Sequence, residues 1–226
     1  ILISLYSLCT FPLPIVLALM LNYTRLSGFK KTVQLVSYAP HFISTVVMVG
    51  LILQFFDQRS GILNMLINAL GGESVYFMAR AEYFRPIYVW SGVWQGVGYS
   101  SIIYIAALSG ISPELHEAAI VDGANILKRI WHVDLPGIAP TISILLIMSC
   151  GSILSVGYEK IYLLQNSLNL DVSEVISTYV YKQGIASSTP QYSYATAIGL
   201  FVSLVNVFML LIVNKVSDRL SGSSLF

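Results

Sequence analysis

Five apolar segments, each long enough to cross a lipid bilayer as a helix, constrain the fold of this chain more than any other feature. A helix rises about 1.5 Å per residue, so a hydrocarbon core of about 30 Å requires about 20 residues. Only helices and closed barrels satisfy their backbone hydrogen bonds in lipid, and segments of this length favour helices. We therefore predict an all-α, polytopic membrane helical bundle. Its five spans are Ile1–Asn22, Val36–Phe56, Pro86–Gly110, Ile138–Tyr158 and Ala195–Asn214.

The composition agrees with a membrane protein. Hydrophobic residues make up 56% of the chain and charged residues 10%, whereas charged residues make up about 25% of ordinary soluble domains. The net charge of +1 provides no concentrated basic face for a phosphate backbone, which excludes nucleic acid as a partner. Cys9 and Cys150 lie far apart in apolar segments, and we expect both to be free thiols.

No motif in the sequence predicts catalysis, a metal site or a bound cofactor. The glycine-rich sequence that ends in Gly-Lys-Ser/Thr and cradles nucleotide phosphates does not occur, so the chain is not itself an ATPase. His41, His116 and His132 do not share a metal-ligand spacing. We therefore expect a chain that is not an enzyme and binds neither metal nor cofactor.

The basic residues predict the orientation in the membrane. The loop Tyr23–Gln34 carries Arg25, Lys30 and Lys31 and no acidic residue, which marks it as cytoplasmic. Alternation from this loop places residues 57–85 and 159–194 outside, and residues 111–137 and the C-terminus inside. The chain begins within an apolar run, so we expect it to be a fragment of a longer protein.

Each external loop is predicted to contain an amphipathic helix. The first helix follows Gly61 and ends at Gly71, because glycine readily adopts the left-handed conformation that terminates helices. The second covers Asp171–Gln183, where apolar residues recur at helical spacing.

Local signals define a helical hairpin in the predicted cytoplasmic loop 111–137. Ser112 is a suitable N-cap for the first helix, and Gly123 should end that helix in a left-handed turn. A second helix is predicted over Ala124–Val133, and Pro136 should break it before the next span. These signals are consistent with an ordinary connection and also with a surface held by a soluble partner.

Polar side chains in and beside two of the predicted spans are candidates for a solute path. A polar group in hydrocarbon is costly and marks either a pathway or a contact between helices. Ser149, Ser152 and Ser155 follow one another at i+3 and should share one side of a helix. The sequence leaves open whether these serines line a path or join helices. The candidate path residues are Trp94, Gln95, Tyr99, Ser152, Ser155 and Tyr158.

A family resemblance favours the partner-binding interpretation of the loop. The run from Glu117-Ala118-Ala119 to Asp122-Gly123-Ala124, followed by Leu135-Pro136, resembles the EAA loop of permease subunits in binding-protein-dependent ABC importers. The segments Gln191–Ala197 and Arg219–Leu225 are similar to the carbohydrate-uptake branch, in particular to its LplB-like oligosaccharide permeases. The resemblance covers nearly all of the chain.

The resemblance implies an ABC importer permease fold and a transport function. Residues 1–226 would form one transmembrane permease domain of a six-span fold whose first helix is missing here, with residues 111–137 as the loop that couples to the ATPase. The implied function is import of sugars, in particular oligosaccharides, across the bacterial cytoplasmic membrane. The implied partners are a second permease subunit, two cytoplasmic ATPase subunits that bind ATP and Mg²⁺, an extracytoplasmic sugar-binding protein and the lipid bilayer.

The resemblance also assigns roles to residues. The implied ATPase-coupling residues are Glu117, Ala118, Ala119, Asp122, Gly123, Ala124, Leu135 and Pro136. Tyr99, Ser152 and Ser155 fall where maltose-type permeases of this family carry sugar-contacting residues.

Other functional classes remain open on the sequence. A secondary carrier or channel subunit would need charged residues buried in the membrane, and the cores of the five spans contain none. A scaffold or receptor would leave the coupling loop unexplained. An importer permease for a non-sugar solute is the remaining alternative. Dependence of transport on an ATPase separates the importer from a carrier, a channel and a scaffold.

Overall fold

The computed structural model describes residues 2–221 of the 226-residue chain. The structure is 79% helical, and no strand occurs within residues 2–221, which confirms the predicted all-α class. Ile1 and residues 222–226, which begin the first predicted span and end the C-terminal motif, lie outside the described residues. The helices are α1 Leu2–Cys9, α2 Pro12–Tyr23, α3 Ser27–Tyr38, α4 Thr45–Phe55, α5 Ile62–Ala69, α6 Ala81–Ser109, α7 Pro113–Val121, α8 Ile126–Arg129, α9 Leu135–Gly151, α10 Tyr158–Leu164, α11 Leu170–Ser173, α12 Ile176–Tyr181 and α13 Tyr192–Ser221.

By length and composition, two helical stretches among the described residues can cross a membrane. These are Ile126–Gly151 and Tyr192–Arg219, and the second contains the predicted span Ala195–Asn214. A broken pair of helices, Ser27–Phe42 and Thr45–Phe55, makes a third if it is counted as one span. The count of five spans therefore stays a prediction.

The predicted span Val36–Phe56 is wrong as a continuous helix. The helix that includes α3 ends at Phe42, and α4 begins at Thr45. Ser44 lies between them in an extended conformation, and its hydroxyl accepts a hydrogen bond from the Val47 amide at 3.4 Å. A hydroxyl that satisfies a free amide in this way starts a new helix, and average hydropathy does not detect it.

The predicted span Ile138–Tyr158 is wrong at its C-terminal end. Helix α9 ends at Gly151, and the next helix begins at Tyr158. The Ser152 hydroxyl donates to the carbonyls of Met148 and Ser149 at 3.3 and 3.2 Å. These bonds occupy carbonyls that the helix end leaves without an amide partner, so the serine helps to terminate the helix.

Of the two helices predicted for the external loops, the first is confirmed as a helix and the second is divided. Helix α5 ends before Gly71, whose φ of +83° is left-handed. The predicted helix Asp171–Gln183 is interrupted between α11 and α12. There Thr178 Oγ1 accepts a hydrogen bond from the Val175 amide at 3.1 Å, which caps α12 separately.

The chain forms two compact units, each with its own apolar core. The first unit comprises residues 1–7, 41–95 and 153–205. Its buried side chains include Met48, Ile52, Phe84, Ile87 and Ile161. The second unit comprises residues 8–40, 96–152 and 206–226 and contains the whole predicted coupling loop. Its buried side chains include Ile15, Ala18, Leu19, Tyr104, Leu108 and Ile138.

Candidate functional site

Helix α7 begins and ends as the sequence predicts. Ser112 Oγ accepts a hydrogen bond from the Glu114 amide at 3.3 Å, and Pro113 occupies the first turn, where its missing N–H leaves no carbonyl unpaired. At the other end Gly123 has a φ of +76°. The amide of Ala124 donates to the Ala119 carbonyl at 2.9 Å, and that of Gly123 donates to the Ile120 carbonyl at 3.0 Å. This bond pair is a Schellman turn, which requires a left-handed residue at position 123.

The chain after this turn differs from the prediction at Pro136. Asn125 caps α8 by accepting a hydrogen bond from the Lys128 amide at 2.9 Å. One π-helical turn, residues 130–134, then joins α8 to α9, so that Ile126–Gly151 is one continuous helix. The expected break at Pro136 is therefore wrong. In the wide turn the Leu135 amide bonds to the Ile130 carbonyl, and Pro136 occupies the first turn of α9, where its ring is tolerated.

The outer surface of this hairpin is apolar and exposed. Helix α7 buries none of its side chains, and Val121 at its end is 87% exposed. Leu127 and Trp131 on the following segment are also more than half exposed, whereas Ile130 packs against the core of the second unit. Ile130 and Trp131 therefore have different surroundings although they are adjacent in sequence. Clustered exposed apolar side chains beside polar ones are typical of a protein-binding surface.

The predicted coupling residues fall on both sides of the Schellman turn and at the start of α9. Glu117, Ala118, Asp122 and Gly123 are exposed, and Ala119 and Ala124 are half-buried beside them. Leu135 and Pro136 lie one turn beyond the end of α8, and Leu135 packs against the core of the second unit. The structure thus brings the first six residues together at one turn and places the last two at the base of α9.

A cavity of about 400 Å³ lies beside α7 in the second unit. Glu117 and His116 line it from α7, and Tyr23 and Arg129 line it from α2 and α8. The Arg129 guanidinium carbon lies 5.2 Å from the centre of the Tyr23 ring, within the range of a cation–π contact. Helix α7 thus adjoins a polar recess with side chains of both charges.

Asp134, in the π-helical turn, joins three helices of the second unit. Its carboxylate is fully buried and accepts a hydrogen bond from the Tyr23 hydroxyl at 2.6 Å. The other carboxylate oxygen lies 3.5 Å from His116 Nε2 on α7. Burial, and then the hydrogen bond and charge of Asp134, raise the pKa of Tyr23 to about 12, so this hydroxyl remains a donor at neutral pH. Asp134 thus bridges the end of α2 and the middle of α7.

Sequence reasoning missed this cluster of Tyr23, His116 and Asp134. Tyr23 and Asp134 are 111 positions apart, and no periodicity joins them. One signal was available, because an aspartate directly before Leu135 at the start of an apolar span must find a partner when it is buried. From sequence, His116 was interpreted as an interfacial or loop residue without a metal-ligand spacing, whereas the structure places it on α7 facing that acid.

The candidate path residues on α6 have different surroundings. Trp94 is half exposed and lines an apolar cavity of about 410 Å³ with Met48, Phe55 and Trp90. The Gln95 amide donates to the Ile43 carbonyl at 2.9 Å and so secures the segment before α4. Tyr99 is also nearly half exposed and belongs to the second unit.

Tyr158 belongs to an aromatic cluster at the start of α10. Its ring centre lies 5.7 Å from that of Tyr162 and 5.0 Å from that of Tyr181. Tyr158 and Tyr181 line a cavity of about 420 Å³ in the first unit, together with Ser177 and Tyr192. Aromatic faces beside hydroxyl groups form a surface of mixed apolar and hydrogen-bonding character.

The two serine candidates do not share a helical face. Ser152 follows the last residue of α9, and Ser155 lies in the non-helical segment before α10. Both residues are exposed. The predicted i+3 alignment of Ser149, Ser152 and Ser155 is therefore wrong, because the helix ends before it reaches the second serine.

The fold and the loop define a membrane permease of a particular kind. The profile of the family described as "Binding-protein-dependent transport system inner membrane component" matches residues 10–222. The chain belongs to this family and is an integral inner-membrane protein.

Relatives within the family agree with the loop resemblance. The chain is 41% identical to protein LplB of Bacillus subtilis (strain 168) over 223 residues, which cover 99% of this chain and 70% of the relative. It is 40% identical to the polygalacturonan/rhamnogalacturonan transport system permease protein YteP of the same organism, over 96% of this chain and 67% of the relative.

A solved structure has the same fold. The crystal structure of a bacterial alginate ABC transporter, in complex with an alginate pentasaccharide-bound periplasmic protein, contains a chain that is 41% identical, with a TM-score of 0.95. The match covers 99% of this chain and 77% of that one.

Proposed function

We propose that this chain is a translocating permease subunit of an ATP-driven importer that takes up oligosaccharides delivered by an extracytoplasmic binding protein. One observation carries the proposal, namely the capped helix α7, which buries none of its side chains and ends in a Schellman turn at Gly123. Exposed apolar residues beside this turn provide a surface for a protein partner. The exposed carboxylate of Glu117 provides a charge that a basic group on that partner can neutralise.

The partner at α7 is a cytoplasmic ATPase subunit. Two such subunits bind ATP and Mg²⁺, and their closure draws α7 of this chain and the equivalent helix of a second permease subunit together. The two permeases then switch the solute cavity from inward-facing to outward-facing. This chain supplies binding surfaces and the path, and hydrolysis takes place on the partner. The EAA loop and the C-terminus face the cytoplasm in this arrangement.

Oligosaccharides are the proposed solutes because the similar proteins are named for polygalacturonan, rhamnogalacturonan and alginate transport. Trp94, Tyr99 and Tyr158 each present a partly exposed aromatic ring, and sugar rings pack well on such faces. Ser152 and Ser155 add exposed hydroxyl groups, and Gln95 supports the path by holding the segment before α4.

The test uses the complete transporter in liposomes, with its ATPase subunits and binding protein. We expect Glu117→Ala and Gly123→Ala to abolish uptake while the protein still inserts. The glycine change matters because an alanine at a φ of +76° is strained by about 1–2 kcal/mol. Uptake of alginate and rhamnogalacturonan fragments is compared with that of neutral oligosaccharides.

Two matched controls make this test specific. Glu114→Ala removes an exposed carboxylate from the same helix, and Gly71→Ala introduces the same backbone strain in the external loop. Both controls should retain most of the uptake. Normal uptake by the Glu117 and Gly123 variants, or normal uptake without the ATPase, would contradict the proposal.

A further inference from the structure

The cluster of Asp134, Tyr23 and His116, called the Asp134 cluster below, joins helices that are distant in sequence. Asp134 is fully buried, yet its two carboxylate oxygens face two other helices of the second unit. Tyr23 is the last residue of α2, and His116 lies near the middle of α7. Asp134 itself precedes α9 directly. One buried carboxylate therefore contacts the exposed helix α7 and the end of α2 from within the helix that continues into α9.

The burial of this carboxylate makes the contacts to its two oxygens important. A buried carboxylate is stable only if hydrogen bonds and opposite charge compensate it. The Tyr23 hydroxyl compensates one oxygen at 2.6 Å. For the other oxygen, no described residue donates a hydrogen bond within the usual limits, and His116 Nε2 at 3.5 Å is the ion-pair contact. A displacement of α7 would uncover this second oxygen, so the burial of Asp134 resists such a displacement.

Arg129, on the same continuous helix as Asp134, also contacts Tyr23. Its guanidinium carbon lies over the Tyr23 ring, 5.2 Å from the ring centre. Among the described residues, the charged or titratable groups that the structure places at this carboxylate or in the adjoining cavity are Tyr23, His116, Arg129 and Glu117. Helix α7 itself contributes no buried side chain that could hold it against the other helices.

We infer that Asp134 is a positioning residue that holds the coupling helix through His116 and passes its displacement to α2 and α9 through Tyr23 and its own helix. This inference rests on the proposed role of α7 as the ATPase-coupling helix. It concerns the transmission of movement inside this chain and not the docking of the ATPase. Without the cluster, the ATPase still docks on α7 and hydrolyses ATP, but fewer hydrolysis events move solute.

The test measures the amount of oligosaccharide imported per ATP hydrolysed, in liposomes that contain the complete transporter. We expect Asp134→Asn and His116→Leu each to lower this ratio about fivefold, at the low end of the range for energetic coupling between two sites. ATP hydrolysis itself should continue. The double variant should be no worse than the worse single variant, because both changes break the same contact.

A conservative variant separates positioning from folding. His116→Gln retains an N–H donor at this place on α7 and should restore most of the wild-type ratio, whereas a loss due to misfolding would persist. The amount of inserted complex is measured for each variant so that ratios refer to equal protein. His116 is partly exposed, so its replacement leaves the core of the unit intact.

Two outcomes would overturn the inference. One is a wild-type ratio in both single variants, and the other is a double variant whose loss is the product of the single losses. Glu117→Ala is run in parallel to separate this inference from the proposed function. If Glu117→Ala blocks import but the Asp134 and His116 variants transport normally, only the inference fails. If Glu117→Ala itself imports normally, the proposed function fails.

Discussion

At the scale of single residues, the hydroxyl of Tyr23 is expected to contribute to the stability of the protein. It donates to the buried carboxylate of Asp134 at 2.6 Å. We expect Tyr23→Phe to destabilise the protein by about 1–3 kcal/mol, because a buried charged acceptor would lose its donor. Thermal unfolding in detergent measures the effect. Tyr76→Phe, at an exposed tyrosine, is the matched control and should change stability little. Equal stability of the Tyr23 variant and the wild type would contradict this description of Asp134.

The buried amine of Lys160, on α10, predicts a pH effect on stability. Its Nζ donates to the Tyr88 carbonyl at 3.2 Å, and burial lowers its pKa to about 8 from an ordinary 10.5. Between these two values the unfolded chain holds a proton that the folded chain has released. Stability should therefore rise with pH through that window, and the destabilisation is fully present below it.

Replacing this lysine should remove the rise. We expect the stability of Lys160→Met to be nearly constant across the window, whereas the wild type gains about 2 kcal/mol, allowing for partial solvent access. Detergent unfolding at a series of pH values measures both curves. Lys31→Met, at an exposed lysine, should retain the wild-type rise. A rise that persists in the Lys160 variant would show that another group is responsible.

At the scale of helices, Ser44 decides where the second apolar segment breaks. Its hydroxyl caps α4, and the loss of such a cap costs about 1 kcal/mol. We expect Ser44→Ala to lower stability by this amount and Ser44→Asp to retain the wild-type value, as measured by unfolding in detergent. If the alanine variant were as stable as the wild type, the hydroxyl would not be what starts this helix.

Features that depend on neighbouring residues were predicted correctly from the sequence, whereas the lengths of the apolar helices were not. Ser112, Gly71 and Gly123 were predicted correctly, because a cap or a left-handed turn depends on residues within one helical turn. The breaks at Ser44 and after Gly151 were missed, because apolar composition continues across both. The continuous helix through Pro136 was missed because a π-helical turn absorbs the proline. Local chemistry therefore predicts helix ends more reliably than hydropathy predicts span lengths.

The same difference between local and long-range interactions applies to the candidate site. The turn that carries the predicted coupling residues was located because its signals lie close together in sequence, and their coupling role stays a prediction. Asp134, His116 and Tyr23 were not grouped, because their contact depends on the packing of three helices that are distant in sequence. The expectation that Ser152 and Ser155 share a face failed once α9 ended at Gly151. A single sequence does not show which residues of distant helices pack together.

At the scale of the whole molecule, the chain is a permease component of a larger transport system. It belongs to a family of binding-protein-dependent inner-membrane components, and nothing in its sequence cradles a nucleotide. In the function proposed above, other chains supply the energy and deliver the solute. In that proposal α7 receives the movement, and the Asp134 cluster passes it on.

The most direct measurement of this account is oligosaccharide uptake into liposomes that contain the complete transporter, with ATP present. We expect uptake only when the ATPase subunits and the binding protein are present. We also expect Gly123→Ala to abolish uptake and Gly71→Ala to retain it. Uptake that continues without the ATPase, or that the Gly123 variant retains in full, would contradict the account.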